Sequence, residues 1–547
     1  MASLTIRNLS FSYPPAEENA ATPQLVLCDV SMTIPDGAFV VFCGESGSGK
    51  STLLRQLKRE IAPLGERSGT ILIDGRPLAE LSDRDSACRI GYVGQQPEEQ
   101  IVTDRVYHEL AFGLENLGLA QDTIRRRVAE TACLFGIEDW FDRDTASLSG
   151  GQKQLLSLAA VMTMDPDVLL LDEPTAQLDP IAAVEFLSVV ERLHREYSVT
   201  VLLVEHHLEN ALPCADFLAC LSHGRLLAYD TVPAVLDKLR HHPDFLAGMP
   251  AAVRLFAAYP APCPVTIRDG KAYLRAHFAN DIRMLPEPEM PSQTAEPVLS
   301  FRDVWFRYGR TMPDVLRGLS FTVYTGEIFC VLGGNGSGKS TMLSVASGWQ
   351  KPYSGEIRVF GKRLRDYTGD SLFRNCLAYL PQDVTTLFAC NTVERELSDV
   401  GETVPESLAA VRGNHPYDLS GGQRQMLALT KVLASGPRLL LLDEPTRGLD
   451  PAACARFGQR LHALRDGGLT IVCVTHDVEF AAAIADRCAF FFRGEITSIA
   501  APHRFFAENH LYTTAVSRIT RGYYDNAVTV TDTETLCTAN GYREDMV

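Results

Sequence analysis

The sequence lacks any long apolar run. No uninterrupted stretch of its 547 residues approaches the roughly 18 to 20 apolar residues that a membrane-crossing helix needs. The N-terminus, MASLTIRNLSFSY, lacks the basic and apolar regions of a secretion signal. We therefore expect the chain to stay in the cytosol. Its 46% hydrophobic composition suits two to four globular domains.

Paired cysteines and an excess of positive charge are also missing. The 14 cysteines are scattered without a C-x-x-C pair, and several lie in apolar runs such as VVFCG, so we interpret them as buried, reduced thiols. The net charge of −17 argues against a nucleic-acid partner, because backbone phosphates must be met by clustered Lys and Arg. It does not exclude a membrane-protein partner with basic loops.

The chain instead contains two copies of one domain. GESGSGKST at 44–52 recurs as GGNGSGKST at 333–341, and LSGGQ and LLLDEPT also recur in the same order. Gln95 and Gln382 are 287 residues apart, whereas the two LSGGQ motifs are 271 apart, so the second copy is 16 residues shorter between these motifs. We predict a first domain, a proline-rich linker, a second domain and a helical tail packed on the second domain, with bounds at 1–240, 241–297, 298–500 and 501–547.

Each copy carries a G-x-x-x-x-G-K-[ST] motif between a strand-like and a helix-like run, which is the context of a phosphate-binding loop. The glycines let successive backbone N–H groups surround phosphates, the lysine adds charge, and the serine hydroxyl can reach Mg²⁺. The candidate nucleotide-binding residues are Gly44, Gly47, Gly49, Lys50, Ser51 and Thr52 in the first copy and Gly333, Gly336, Gly338, Lys339, Ser340 and Thr341 in the second.

Two carboxylates follow a strongly apolar strand in each copy, in DVLLLDEP and RLLLLDEP. Successive side chains of a strand point to opposite sides, which separates two roles. Asp172 and Asp443 are predicted to bind the Mg²⁺ shell, while Glu173 and Glu444 are predicted to orient and deprotonate the attacking water. A solvated strand end would not repeat at matched spacing behind two phosphate loops.

The LSGGQ motif places a serine before an apolar helix in each copy. Ser149 and Ser420 are plausible helix N-caps, and the backbone N–H groups of Gly151 and Gly422 face outward from a positive helix end. This end favours an anion. It can bind either a second phosphate or a nucleotide held by another copy of the domain.

Together these motifs resemble the nucleotide-binding domains of ABC ATPases, present twice. The resemblance implies an α/β fold with two tandem P-loop domains, each with a RecA-like core, an antiparallel β subdomain and a helical subdomain. It also implies that the two domains close head to tail within the chain, with one ATP between the first phosphate loop and Ser420 and another between the second loop and Ser149.

The resemblance assigns further residues in both copies. Tyr13 and Tyr308 match the aromatic that stacks on adenine, and Asp179 and Asp450 match the loop that couples the two sites. The remaining matches are the glutamines that contact Mg²⁺ and a transmembrane partner, and the histidines that contact the γ phosphate: Gln95, Gln382, His206 and His476.

Both sites are predicted to be competent for hydrolysis, with one departure from the family pattern. Glu205 and His207 flank His206, where Thr and Asp are usual and where the second copy has Thr475 and Asp477. The departure leaves open the relative turnover of the two sites.

The stretch GQQPEEQIV resembles the F-Q-x-P-x-x-Q stretch of ATPases from energy-coupling factor (ECF) importers, and AFGLENLGL resembles their next helix. Gln95, Pro97 and Gln100 match this pattern. In that family the surface receives an arginine-bearing coupling helix, so Glu98 and Glu99 are predicted to face such a helix; solvated carboxylates are the alternative. The second copy is expected to have lost the FGLEN helix altogether.

The resemblance therefore implies an ATPase, with ATP and Mg²⁺ as cofactors, that lies peripherally on the cytoplasmic face of the cell membrane. Its partners would be a transmembrane scaffold subunit and a substrate-binding membrane subunit on separate chains, with no nucleic acid. Vitamin or metal-ion uptake is typical of such systems. A tandem ATPase of a sugar importer and a soluble ABC-F translation factor are the alternatives, although the proline-rich linker does not resemble the long basic arm of the latter.

Overall fold

The computed structural model describes residues 3–14, 24–260, 262–286 and 296–543. It divides into two compact units, Met1–Thr266 and Ile267–Val547, so the division falls inside the predicted linker. Across the described residues, no helix is both long enough and apolar enough to cross a membrane.

The described residues of unit 1 form two sheets. Its strands are β1 (Leu4–Tyr13), β2 (Gln24–Ile34), β3 (Phe39–Cys43), β4 (Glu66–Ile73), β5 (Arg76–Pro77), β6 (Ile90–Val93), β7 (Val168–Asp172), β8 (Thr200–Val204), β9 (Phe217–Ser222) and β10 (Arg225–Thr231). One sheet is antiparallel with the order β2-β1-β4-β5, and the other has the order β10-β9-β3-β8-β7-β6. In the second sheet all neighbouring strands are parallel except β9 and β10.

The described part of unit 1 also contains helices. They are α1 (Lys50–Gln56), α2 (Asp83–Arg89), α3 (Val106–Asn116), α4 (Gln121–Phe135), α5 (Gly150–Met162), α6 (Pro180–Tyr197), α7 (Val232–Leu239), α8 (Pro243–Leu246) and α9 (Ala251–Phe256). Every residue of β3, β7 and β8 is buried, as expected for parallel strands covered on both faces. Because the strands are parallel, their carboxyl ends meet at one edge, where the candidate site residues lie.

Unit 2 repeats this arrangement. Its strands are β11 (Pro297–Phe306), β12 (Leu316–Tyr324), β13 (Ile328–Leu332), β14 (Ser354–Val359), β15 (Lys362–Arg363), β16 (Leu377–Leu380), β17 (Leu439–Asp443), β18 (Thr470–Thr475), β19 (Arg487–Phe492) and β20 (Glu495–Ala500). The antiparallel sheet has the order β12-β11-β14-β15 and the mainly parallel sheet the order β16-β17-β18-β13-β19-β20, which match unit 1 strand for strand. The α/β fold predicted from the sequence is therefore present in both units.

The helices of unit 2 are α10 (Ile267–His277), α11 (Lys339–Ala346), α12 (Val393–Ser398), α13 (Gly421–Leu433), α14 (Pro451–Asp466), α15 (Val478–Ile484), α16 (Pro502–Glu508), α17 (Ala515–Thr520) and α18 (Val530–Asn540). The linker range thus contains the short helices α8, α9 and α10. In the tail, Phe505, Phe506 and Val528 are buried in a core cluster of unit 2.

The tail also holds the segment after α10. Asn540 accepts a hydrogen bond from the Ile282 N–H at 2.9 Å and donates to the Ile282 carbonyl at 2.8 Å. Asn526 makes the same pair of bonds with Leu285, at 2.8 and 2.9 Å. The hydroxyl of Tyr524, which is fully buried, donates to the Ala279 carbonyl. Side chains of the tail therefore contact mainly the backbone groups of this segment.

The helical insert differs between the units, and one expectation about it is corrected. The second copy has not lost the FGLEN helix altogether, because α12 is its shortened counterpart, with 6 residues against 11 in α3. Glu109 of α3 accepts the N–H groups of residues 102 and 103, and Glu396 of α12 accepts those of residues 389 and 390, at the same spacing. Where unit 1 has the 15-residue α4, unit 2 has a short 3₁₀ turn, Glu406–Val411.

All 14 cysteines are free thiols, but the expectation that they are buried holds only for some. Cys133 is exposed and seven others are partly buried. The buried ones are Cys43, Cys220, Cys330, Cys473, Cys488 and Cys537.

Candidate active site

The phosphate loop of unit 1 joins β3 to α1 and depends on glycine. Gly44 has a φ of 138°, and a Cβ there would lie 2.0 Å from the Leu221 carbonyl oxygen; Gly49 has a φ of 96°. The Nζ of Lys50 donates to the carbonyls of Gly44 and Glu45, each at 2.8 Å. These bonds hold the ammonium inside the curve of the loop, where a phosphate would meet both the charge and the backbone N–H groups.

The loop of unit 2 has the same geometry. A Cβ on Gly333 would lie 2.4 Å from the Phe491 carbonyl oxygen, and Gly338 has a φ of 108°. The Nζ of Lys339 donates to the carbonyls of Gly333 and Gly334, and it lies 3.7 Å from Oε1 of Glu444. Gly47 and Gly336 also have positive φ, at 80° and 73°. The predicted loop residues therefore lie together in each unit.

The first carboxylate of each pair faces the serine of its own loop. The Ser51 hydroxyl donates to Oδ1 of Asp172 at 2.7 Å, and Ser340 donates to Asp443 at 3.0 Å. Burial is the largest influence on both aspartates and raises the pKa of each. A hydroxyl and a carboxylate side by side fit Mg²⁺, which prefers oxygen ligands and retains waters or phosphate oxygens for the rest. No cluster of three or more His, Cys, Asp or Glu suited to a metal occurs among the described residues.

Sequence reasoning missed a tyrosine in each of these sites. The hydroxyl of Tyr92 donates to Oδ2 of Asp172 at 3.1 Å, and Tyr379 donates to Oδ2 of Asp443 at 3.0 Å. Burial, followed by the nearby Asp172 charge, raises the pKa of Tyr92 to about 12, so its hydroxyl remains a donor at neutral pH. The signal that could have found them is their repetition three residues before Gln95 and Gln382.

The second carboxylate of unit 1 turns the other way and meets two predicted partners. Oε1 of Glu173 lies 2.9 Å from Nε2 of His206, and Oε2 accepts a hydrogen bond from Nε2 of Gln95 at 3.2 Å. Glu173 has a φ of 50°, a left-handed conformation that is strained for a non-glycine residue and is common at functional sites. The structure thus brings Glu173, His206 and Gln95 together.

Unit 2 brings together only part of the equivalent set. Oε2 of Glu444 lies 2.8 Å from Nδ1 of His476 and accepts a bond from the His476 backbone N–H at 3.1 Å. Burial by itself would raise the pKa of Glu444, but His476 and Lys339 outweigh it and the pKa lies below its usual value. For His476, burial lowers the pKa, yet Glu444 shifts the net value upward. Gln382 is exposed, and among the described residues it makes no hydrogen bond to Glu444.

The LSGGQ serines cap their helices as predicted from the sequence. Ser149 accepts the Gln152 N–H in a reciprocal capping box at the start of α5, and Ser420 does the same with Gln423 at the start of α13. Both serines are exposed, and Gly151 and Gly422 lie in the first turn. The predicted contact of these helix ends with a nucleotide stays a prediction.

Comparison with known proteins follows the same motifs. A family model described as ABC transporter matches residues 27–176 and 316–447, and an AAA-domain model matches 413–482. A candidate ABC transporter ATP-binding protein of Bacillus thuringiensis subsp. konkukian is 40% identical over 553 residues, 98% of each chain. The chain belongs to the ABC transporter ATPases. A second relative with the same description, from Streptomyces avermitilis, is 37% identical and covers 86% of this ABC ATPase and 90% of its own chain.

A solved structure of another protein has a fold similar to that of this ABC ATPase. The archaeal ribosome recycling factor aABCE1, solved with the ribosomal stalk protein aP1, matches with a TM-score of 0.57 over 91% of both chains. Its 18% identity shows the fold alone.

The predicted adenine-stacking residues of the ABC ATPase lie beside the phosphate loops. The hydroxyl of Tyr13 is 3.2 Å from Oγ1 of Thr52, and that of Tyr308 is 2.9 Å from Oγ1 of Thr341. Each tyrosine ring also packs edge-on against a phenylalanine two residues earlier, with centroids 5.0 Å apart. The structure thus places each tyrosine beside its phosphate loop, and its contact with adenine stays a prediction.

One glutamine of the GQQPEEQ stretch of the ABC ATPase bonds back to the strand before it. Gln100 accepts the Gly94 N–H at 2.9 Å and donates to the Tyr92 carbonyl, while Pro97 is buried. Glu98 and Glu99 are both exposed, and Glu98 forms an ion pair with Lys153 of α5 at 3.0 Å. Glu98 therefore already has a partner in its own unit.

Proposed function

We propose that this ABC ATPase drives an importer of the ECF type at the cytoplasmic membrane face. ATP and Mg²⁺ would bind at both units, and separate scaffold and substrate-binding membrane subunits would carry the solute, a vitamin or metal ion. The proposal is supported most by the GQQPEEQ surface, which presents the exposed Glu99 next to Glu98, the partner of Lys153 on α5.

The chemistry proposed for unit 1 uses residues that lie together. The loop N–H groups and Lys50 hold the phosphates, and Ser51 and Asp172 would hold Mg²⁺, which neutralises phosphate charge when bound. Glu173 takes the proton of the attacking water, while His206 and Gln95 hold its two carboxylate oxygens in place.

The same roles are proposed for unit 2, with a different support for the base. Ser340 and Asp443 would hold Mg²⁺, and Glu444 takes the proton while His476 and Lys339 contact its carboxylate. Because Gln382 is exposed and, among the described residues, makes no hydrogen bond to Glu444, we expect this glutamine to respond to a bound scaffold rather than to the base alone.

The unequal helical layers support a single orientation of the scaffold. Unit 1 presents α3 and α4, whereas unit 2 presents the shorter α12 and a 3₁₀ turn. Two dissimilar coupling helices on one scaffold would then each fit one unit. Exchanging the two inserts is expected to abolish transport while ATP binding persists.

The test is to capture this chain from its native membranes and identify the proteins that come with it. A scaffold with small membrane subunits is the expected result. Glu99→Lys is expected to weaken their recovery, because it reverses an exposed charge that is proposed to meet arginines. Glu196→Lys, an exposed substitution near the end of α6, is the matched control and should have no effect.

Two outcomes would overturn the proposal. A pair of transmembrane subunits without small substrate-binding membrane proteins would favour a sugar-type importer, and ribosomes would favour a translation factor. Equal recovery with Glu99→Lys and the wild type would remove the role assigned to the GQQPEEQ surface, whatever the partner.

A further inference from the structure

A buried carboxylate ties together the two segments that carry the base and the histidine of unit 1. Glu205, at the end of β8, is 2% exposed, and its Oε1 accepts hydrogen bonds from the backbone N–H of Thr175 at 3.1 Å and from the Thr175 hydroxyl at 2.7 Å. Thr175 lies two residues after Glu173, and Glu205 directly precedes His206. The contact therefore joins the loop of the base to the loop of the histidine.

In the part of unit 2 that the structure describes, no such contact occurs. Thr475 occupies the position of Glu205, and its hydroxyl accepts the Asp477 N–H at 3.0 Å, within its own turn. Thr446, the counterpart of Thr175, is buried without a carboxylate at this position. The two sites therefore differ in how the loop after the base is held, although their phosphate loops match.

We propose that Glu205 is a positioning residue for ATP hydrolysis at the unit 1 site: it fixes Glu173 relative to His206 through Thr175, and its charge state sets turnover there. In this proposal Glu205 acts through Thr175, and Glu173 remains the base. The proposal rests on the ATPase activity of the chain and not on the importer type.

The surroundings of Glu205 make its carboxyl group titrate within the pH range of the assay. Burial is the largest influence and raises its pKa to about 7, the Thr175 bonds oppose this, and two charged groups act on it: Glu173 from the loop after β7 and His206 from its own strand end. Below about pH 7 the neutral carboxyl can still accept from Thr175 through its carbonyl oxygen. Above this pH, the added negative charge favours proton transfer to Glu173, so turnover should rise with pH.

Two substitutions separate position from charge. Glu205→Gln keeps an oxygen that can accept from Thr175 but removes the charge, whereas Glu205→Thr removes both and copies unit 2. A small displacement of a catalytic group can cost about a hundredfold in rate, so a loss of about tenfold in kcat is a modest expectation for Glu205→Thr.

The experiment measures kcat and KM for ATP between pH 6 and 9 in chains whose unit 2 site carries Glu444→Gln. With Glu205 present, kcat should rise through about pH 7; Glu205→Gln should flatten this rise, and Glu205→Thr should lower kcat about tenfold with KM little changed. Thermal melting checks that each variant folds. If Glu205→Thr does not fold, the pH profile of Glu205→Gln decides. An unchanged profile in Glu205→Gln, or a rise in KM without a fall in kcat, would overturn the proposal.

Discussion

Removing one partner of the buried ion pair between Lys431 and Glu396 is expected to destabilise unit 2. In unit 1 the position of Lys431 is an alanine. Lys431 of α13 contacts the carboxylate of Glu396 on α12, which is 0% exposed, and also donates to the Leu387 carbonyl at 2.7 Å. Lys431→Met keeps most of the aliphatic stem and removes the charge. The Glu396 carboxylate would then be buried with only two backbone N–H donors, those of Ala389 and Cys390.

The magnitude follows from the burial of this pair. Removing one partner of a buried pair typically costs about 3 to 5 kcal/mol. In unit 1, Ala160 takes the place of Lys431, and Glu109 is nonetheless buried with two backbone N–H donors, so these bonds support part of the charge. We therefore expect about 3 kcal/mol, which for a unit of this size lowers the melting temperature by about 6 to 12 °C.

The assay is scanning calorimetry with hydrogen exchange across α12 and α13, because the loss should be confined to unit 2. Lys153→Met is the matched control. Lys153 pairs with the half-exposed Glu98, and a surface pair contributes at most about 1 kcal/mol. A melting temperature for Lys431→Met within about 2 °C of the wild type would refute the reasoning that the ammonium compensates a buried charge.

Three further predictions concern the sites. Glu173→Gln together with Glu444→Gln should lower phosphate release by about 10² to 10⁴-fold with ATP binding retained, and release above a tenth of the wild-type rate would place the base elsewhere. Tyr92→Phe removes a hydroxyl bond to the buried Asp172, so Mg²⁺-dependent ATP affinity should fall about tenfold; an unchanged titration would contradict this. The raised pKa of His476 stabilises unit 2 below its unfolded pKa of about 6.5, and this is lost as pH rises through the folded value. The depressed pKa of Glu444 stabilises unit 2 above about pH 4.5, and this contribution is lost as the pH falls through the folded value. Melting temperatures across pH 5 to 9 should therefore decline above about 6.5, and His476→Gln should remove the decline.

The sequence predicts the parts of the site that are contiguous or repeated. The glycines, lysine and serine of each phosphate loop lie within nine residues, and their chemistry depends on backbone shape that the motif itself specifies. The carboxylate pairs could be predicted because a fully apolar strand precedes them and strand geometry separates neighbouring side chains.

Contacts between distant segments could not be predicted in this way. The bond from Tyr92 to Asp172 joins positions 80 apart, and that from Thr175 to Glu205 joins positions 30 apart. No local pattern specifies these pairings, because tertiary packing decides them. The FGLEN expectation failed for a related reason: deleting residues within a helix shortens it, while its first turn, fixed by the buried Glu396, remains.

The contacts of the tail with residues 278–285 reduce the free length of the linker. The side-chain amides of Asn526 and Asn540 bond to main-chain groups of this segment, and Arg283 adds an ion pair with Asp525. A tether sets effective concentration through its free length, and every residue gripped by the tail is withdrawn from that length. Shortening the C-terminus is therefore expected to increase the free length of the linker, more than two hundred residues upstream.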